Sequence, residues 1–267
     1  AAGRLSGRER SAALCALWRA LESARADPLV ADPYAAGIAR DLLGADTVSK
    51  MSKATFAPSL QYLVALRTWS LDRALAAWLE RSPAPGQVVQ LAVGCDTRAL
   101  RLPARHPNVR FFEVDSPKVA AFRRHFLADA AASGGHVPRT CAQVGFDLRA
   151  PEGLVEELRS RHGFEPSVRT AWLCEGLMEY HPQGFAERLF RALRAARAPG
   201  AAPHELFVAV LGDQWHEFLR AEHGQRPVRM AWQTCLPAVP ELVGQLRRCG
   251  WPRVGVTSEL PPVRGAP

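Results

Sequence analysis

The chain has 267 residues, 48% hydrophobic and 22% charged, enough to bury a sizeable core and ordinary for a globular protein. Its formal net charge of +8 rests on 31 arginines and three lysines with no long basic block, a skew that points to a GC-rich bacterial genome and argues against a nucleic-acid surface. The six cysteines form no C-x-x-C pair, the histidines no metal-ligand spacing, and no apolar run approaches the roughly 20 residues of a membrane span, which argues against disulfides, bound metal and membrane insertion and for a reducing cytoplasm.

Leu14, Leu17, Trp18 and Leu21 recur at helical spacing within residues 8–26, an amphipathic helix too charged for a secretory signal. Asp32-Pro33 reads as the N-cap and first position of the next helix, and the polar, aperiodic residues 45–56 read as a loop. A long helix is expected from Pro58 to about Arg81, with Leu60, Leu63, Val64, Leu71, Leu75 and Trp78 apolar, before the break at Pro83-Ala84-Pro85-Gly86. Strands at 87–93, 109–114, 139–145, 168–174 and 204–211 then alternate with helices at 96–103, 117–132, 151–161 and 182–197. Such alternation predicts a parallel sheet with helices on both faces. A helix Pro240–Cys249 and a strand Arg253–Ser258 are expected to add a reversed edge hairpin. Between them and the sheet, residues 212–236 carry Trp215, His216, Arg220, His223, Arg226, Arg229 and Trp232 and read as a lid or acceptor segment. The expected division is a helical cap, 1–86, on an α/β core, 87–267.

The first strand runs into Gly94 and then Cys95-Asp96-Thr97 at a helix start. In a dinucleotide-binding unit a pyrophosphate occupies that helix N-terminus, reached through G-x-G-x-x-G. Here the turn is A-V-G-C-D-T, and the Asp96 carboxylate would repel a pyrophosphate. A cofactor carrying net positive charge, such as S-adenosylmethionine, is not repelled. Asp115 ends the second strand 21 positions after Gly94, where a ribose-binding acid belongs. Asp147 and Glu175 follow the third and fourth strands, so four successive strands deliver acids to the carboxyl edge, where ligands bind in such sheets. Taken singly, Asp96 and Asp115 read equally well as helix caps. Tyr180 and His181 leave the fourth strand on what would be the acceptor side, although His181 before Pro182 also reads as a plain loop residue.

LAVGCDTRALRL at 91–102 resembles the L-G-x-G-x-D-T-R-x-x-R-L motif of the leucine carboxyl methyltransferase family, and FFEVDSP at 111–117 resembles its second-strand motif. ALESARADPLVADPYA at 20–35, LVALRTWSLD at 63–72, FDLR at 146–149 and WLCEGLMEY at 172–180 match in the same order. The resemblance implies a Rossmann-like class I methyltransferase fold with a seven-stranded, mostly parallel sheet, an N-terminal helical cap, and S-adenosylmethionine as cofactor. It also implies roles: Arg67, helped by Arg19, for the cofactor carboxylate; Glu175 for its ammonium; Asp115 for ribose; Asp147 with Leu148 for adenine; Gly94 and Asp96 at the turn. The family's first glycine is replaced by Ala92.

The likeness is greatest to a bacterial branch of natural-product O-methyltransferases, so the expected acceptor is a small-molecule or peptide carboxylic acid. An ionised carboxylate needs alignment and exclusion of water but no base. A phenol, with a pKa near 10, would need one, and His181, His216 or His223 could serve. Tyr180, His181 and Arg67 are the candidate catalytic residues. The alternatives are a phenolic or polyketide hydroxyl acceptor, a non-catalytic protein on the same fold, and an RNA-modifying enzyme.

Overall fold

Five apolar runs become the strands β1 (Gly86–Leu91), β2 (Val109–Asp115), β3 (Cys141–Gly145), β4 (Arg169–Glu175) and β5 (His204–Ala209) of one sheet in the computed structural model. The structure describes residues 5–53, 58–102, 106–132, 141–182, 184–210 and 239–256. The strand order is β3-β2-β1-β4-β5 and every pairing is parallel. β1 is central and buried at every residue, as a strand covered on both faces must be. The order reverses between β1 and β4, and such a switch point opens a crevice at the carboxyl ends of the strands.

Helices α1 (Gly7–Ser23), α2 (Ala35–Leu43), α3 (Ala45–Lys53) and α4 (Pro58–Glu80) precede the sheet. The short α5 (Arg98–Arg101) follows β1, α6 (Pro117–Ala132) follows β2, α7 (Leu154–His162) follows β3, α8 (Phe185–Ala195) follows β4, and α9 (Val239–Arg248) comes last. Neighbouring residues of a strand point to opposite faces, and β1 divides the core accordingly. Val88 joins Phe111, Ala171 and Leu173 under Leu75, Trp78 and Leu79 of α4. Val89 joins Phe112, Val144 and Trp172 under α7, α8 and α9. No helix among the described residues is long and apolar enough to cross a membrane.

Residues 45–53, expected as a loop, form α3. Gly44, at φ 82°, ends α2 and lets the chain re-enter a helix at once, while Val48 and Met51, three residues apart, pack against the cluster around Ile38. Two apolar residues give too short a period to register in a sequence. The helix expected at 96–103 shrinks to Arg98–Arg101, because Asp96 Oδ1 accepts the Arg98 amide at 2.6 Å and closes a turn ahead of it. The sheet has five strands among the described residues, not seven. Residues 253–256 form no strand: Pro252 removes a donor just before them and Gly255 offers no side chain to pack. Ser258 and the whole of 212–236 lie outside the described residues, and the acceptor segment expected there lies with them.

Candidate functional site

A cavity of about 690 Å³ opens at the carboxyl ends of β1, β2 and β4, between α1 on one side and α4 on another. Arg19, Arg67, Gly94, Asp96, Asp115, Asp147, Leu148, Glu175, Tyr180 and His181, the site residues expected from the sequence, all line it, while the further candidate bases His216 and His223 lie outside the described residues.

The turn after β1 forms its floor. Ala92 has φ 53°, the one non-glycine residue with positive φ among those described, and Gly94 follows at φ 50°. The glycine position in the motif therefore keeps its left-handed backbone with a methyl group in place, at a cost of about 1–2 kcal/mol. Gly94 N donates to Asp115 Oδ2 at 2.8 Å, which draws the ends of β1 and β2 together. A Cβ on Gly94 would lie 3.1 Å from that of Ala12, so α1 can pass close only over a glycine. Asp115 Oδ1 accepts from Ser116 N at 2.7 Å. Burial pushes the Asp115 carboxyl above its ordinary range, against the pull of these two amides.

One wall carries opposed charges. Glu175, at the end of β4, accepts from Arg67 Nε of α4 at 2.6 Å through Oε1, and its Oε2 pairs with Arg98 Nη1. Burial opposes the charge on Glu175, and Arg98 and Arg67 overcome it, holding the carboxyl below its usual range. Gly176, at φ 58°, lies beneath the guanidinium of Arg67, and a Cβ there would come within 3.4 Å of Arg67 Nη1. Asp96 is likewise held ionised against burial by Arg98, with which its Oδ2 pairs. Arg19 reaches the same floor but is engaged: Nε donates to Asp32 Oδ2 at 2.9 Å and Nη2 to the Cys95 carbonyl at 2.6 Å. Asp32 Oδ1 in turn accepts the Tyr34 and Ala35 amides and so holds the turn ahead of α2, but the N-cap is Tyr34 and the helix begins at Ala35, two residues later than Asp32-Pro33 suggested.

The rim belongs to the later strands. Asp147 after β3 is held by Arg149 Nη2 at 2.6 Å and Nε at 2.9 Å, and these bonds take its carboxyl down to about 2; Leu148 beside it is buried. Tyr180 OH and Ser11 Oγ share a hydrogen bond of 2.7 Å, and the Tyr180 carbonyl accepts from Arg8 Nη2 at 2.6 Å. His181 is buried and stacked on Phe185 at 3.8 Å between ring centroids. Burial first, and then the charge of Arg8, push its imidazole down to about 4.

The family model described as leucine carboxyl methyltransferase matches residues 12–194. The chain belongs to that family of S-adenosylmethionine-dependent methyltransferases. A protein of Mycobacterium sp. (strain KMS) named "Putative S-adenosyl-L-methionine-dependent methyltransferase" is 33% identical over 229 residues, which cover 83% of this chain and 70% of the relative. One of the same name from Mycobacteroides abscessus is 36% identical over 209 residues, 72% of this chain and 64% of that one. Among solved structures, a Thermobifida fusca protein named as a methyltransferase superposes with a TM-score of 0.55 at 20% identity, over 87% of this chain and 78% of its own. A DUF574 family protein of Streptomyces avermitilis gives 0.51 at 14% identity, over 87% and 81%. At these identities the two structures speak for the fold.

The residues suit the methyltransferase cofactor. Gln90 Oε1, buried at the cavity wall, has no hydrogen-bond partner among the described residues and leaves an acceptor for a ligand donor. The Arg67–Glu175 pair offers one charge of each sign, as the amino-acid half of S-adenosylmethionine requires, and the Asp115 carboxylate suits a diol. A cavity of this size lies within the usual 300–1,000 Å³ of small-ligand sites. Sequence reasoning missed Gln90, Arg8, Ser11 and above all Arg98. Arg98 reads as a residue on the face opposite Leu100 and Leu102, yet it is 1% exposed. Its only signal was its place directly after Asp96-Thr97 in the motif.

Proposed function

We propose that this methyltransferase transfers a methyl group to the carboxylate of a small-molecule or peptide acid, with residues 1–86 as a helical cap on the core that follows. Arg67 and Glu175 would hold the carboxylate and ammonium of S-adenosylmethionine, Asp115 its ribose, and Asp147 with Leu148 its adenine. Gly94 lets the backbone approach, while Asp96 and Arg19 hold the turn beneath. When bound, S-adenosylmethionine supplies an electrophilic methyl group on a sulfonium. The chain's own part is to exclude water and to align an acceptor oxygen from the side of Tyr180 and His181, with Arg67 fixing the opposite end.

The observation that supports a carboxyl acceptor is the state of His181. An imidazole pushed down to about 4 is a weak base at neutral pH, poorly matched to a phenol near 10. Of the arginines around it, Arg149 is paired with Asp147 and Arg188 with Glu152, whereas Arg8 donates to the neutral Tyr180 carbonyl and so brings a positive charge to this side, which favours an acceptor that arrives as an anion.

The test is to incubate the protein with S-adenosylmethionine and paired panels of carboxylic acids and phenols, reading products by mass spectrometry. Methyl products that mild base hydrolyses, from acids alone, are the expected result. Base-stable methyl ethers from phenols alone would overturn the carboxyl assignment.

A further inference from the structure

Arg98 lies at the centre of a buried cluster of three cations, Arg67, Arg98 and Arg101, and three anions, Asp72, Asp96 and Glu175. Its Nε donates to Asp72 Oδ1 of α4 at 2.6 Å, its Nη1 pairs with Asp96 and with Glu175, and its Nη2 donates to the Thr68 carbonyl at 3.3 Å. Every nitrogen is thus engaged on a side chain 1% exposed. It joins the end of β1 to the end of β4 across the switch point and ties both to α4.

We propose that Arg98 is the positioning residue for the amino-acid half of the ligand, acting through Glu175, an inference that rests on the cofactor site proposed above. Arg67 lines the cavity and holds Glu175 only through Nε on Oε1, its Nη2 meeting, among the described residues, no more than the Cys15 thiol at 3.9 Å. When Arg67 is drawn to a ligand carboxylate, Glu175 keeps its second oxygen on Arg98 and stays fixed to meet an ammonium. A guanidinium can serve three carboxylates at once because its donors form a planar fork, whereas a lysine offers a single point of charge. The adenosine half depends instead on Asp115, whose hydrogen bonds run to Gly94 and Ser116.

The experiment is calorimetric titration of the full chain with S-adenosylhomocysteine and with 5′-methylthioadenosine, which lacks the amino-acid half. Arg98→Lys is expected to weaken S-adenosylhomocysteine by about ten- to a hundred-fold, the range of one charge-assisted hydrogen bond, and to leave 5′-methylthioadenosine unchanged. Glu175→Gln should show the same selectivity, and the double variant should lose no more than either single one. Asp72→Asn, which removes the charge that Arg98 Nε meets outside the cavity, should repeat the pattern at smaller size and stands in if Arg98→Lys fails to fold. Equal losses on both ligands, or none on either, would overturn the role of Arg98 while leaving the cofactor site intact. A wild-type protein that binds neither ligand would overturn the site itself and this inference with it.

Discussion

Ala92 holds a backbone conformation that an L side chain adopts at a cost, in the turn that forms the cavity floor. Ala92→Gly should relieve that strain, raising stability by up to about 1 kcal/mol in urea unfolding, once the extra freedom of glycine in the unfolded chain is subtracted. Its affinity for the cofactor should rise or stay level; a clear loss would show that the methyl group belongs to the fit. Asp115→Ala and Arg67→Ala should each weaken S-adenosylhomocysteine by at least about ten-fold without loss of the folding transition. Asp115 was legible because it depends on one spacing, a strand end 21 residues after Gly94. Arg98 was not, because its partners Asp72 and Glu175 lie 26 and 77 positions away, and an arginine looks solvated until the fold surrounds it with carboxylates. Asp96 falls between: its place at the turn was evident, but its attachment to Arg98 was not.

Among the elements, α1 forms one wall of the site. Ser6 and Glu9 cap it reciprocally at 3.3 and 2.7 Å, and its first turns then meet the cavity through Arg8, Ser11 and Ala12. The Ser11–Tyr180 hydrogen bond joins this helix to the turn after β4. A double-mutant cycle of Ser11→Ala and Tyr180→Phe should give a coupling of about 1 kcal/mol in unfolding free energy; additive effects would mean that the contact does not hold α1 down. The helical nature of α1 and α4 was legible in their apolar periodicity, and the strands in their short apolar runs. What periodicity does not carry is which other surface of α1 meets a ligand, since its polar residues resemble a solvated face. For α3 the difficulty was length, nine residues with one apolar pair.

At the scale of the molecule, the parallel sheet and the delivery of four acids to its carboxyl edge follow from strand–helix alternation and were legible in the sequence; the strand order β3-β2-β1-β4-β5 was not, because alternation does not say which strands pair. Nor was the count of strands, since residues 253–256 have strand-like residue types but Pro252 and Gly255 beside and among them. The buried histidines give the whole chain a pH signature. Burial lowers His181 and His204 to about 4 from an ordinary 6.5, so below pH 6.5 the unfolded chain takes up protons that the folded chain refuses. Stability should therefore hold at neutral pH, decline as pH falls from 6.5 toward 4, and lose nothing further to these two groups below that. His181→Asn should flatten part of the decline in urea unfolding measured at several pH values; an unchanged slope would mean that His181 titrates freely. The central claim, that the crevice is a cofactor site of the S-adenosylmethionine type, is tested most directly by calorimetric titration of the protein with S-adenosylhomocysteine, with NAD as the control. Micromolar binding of the first and none of the second is the predicted result, whereas binding of NAD, or of neither, would contradict it.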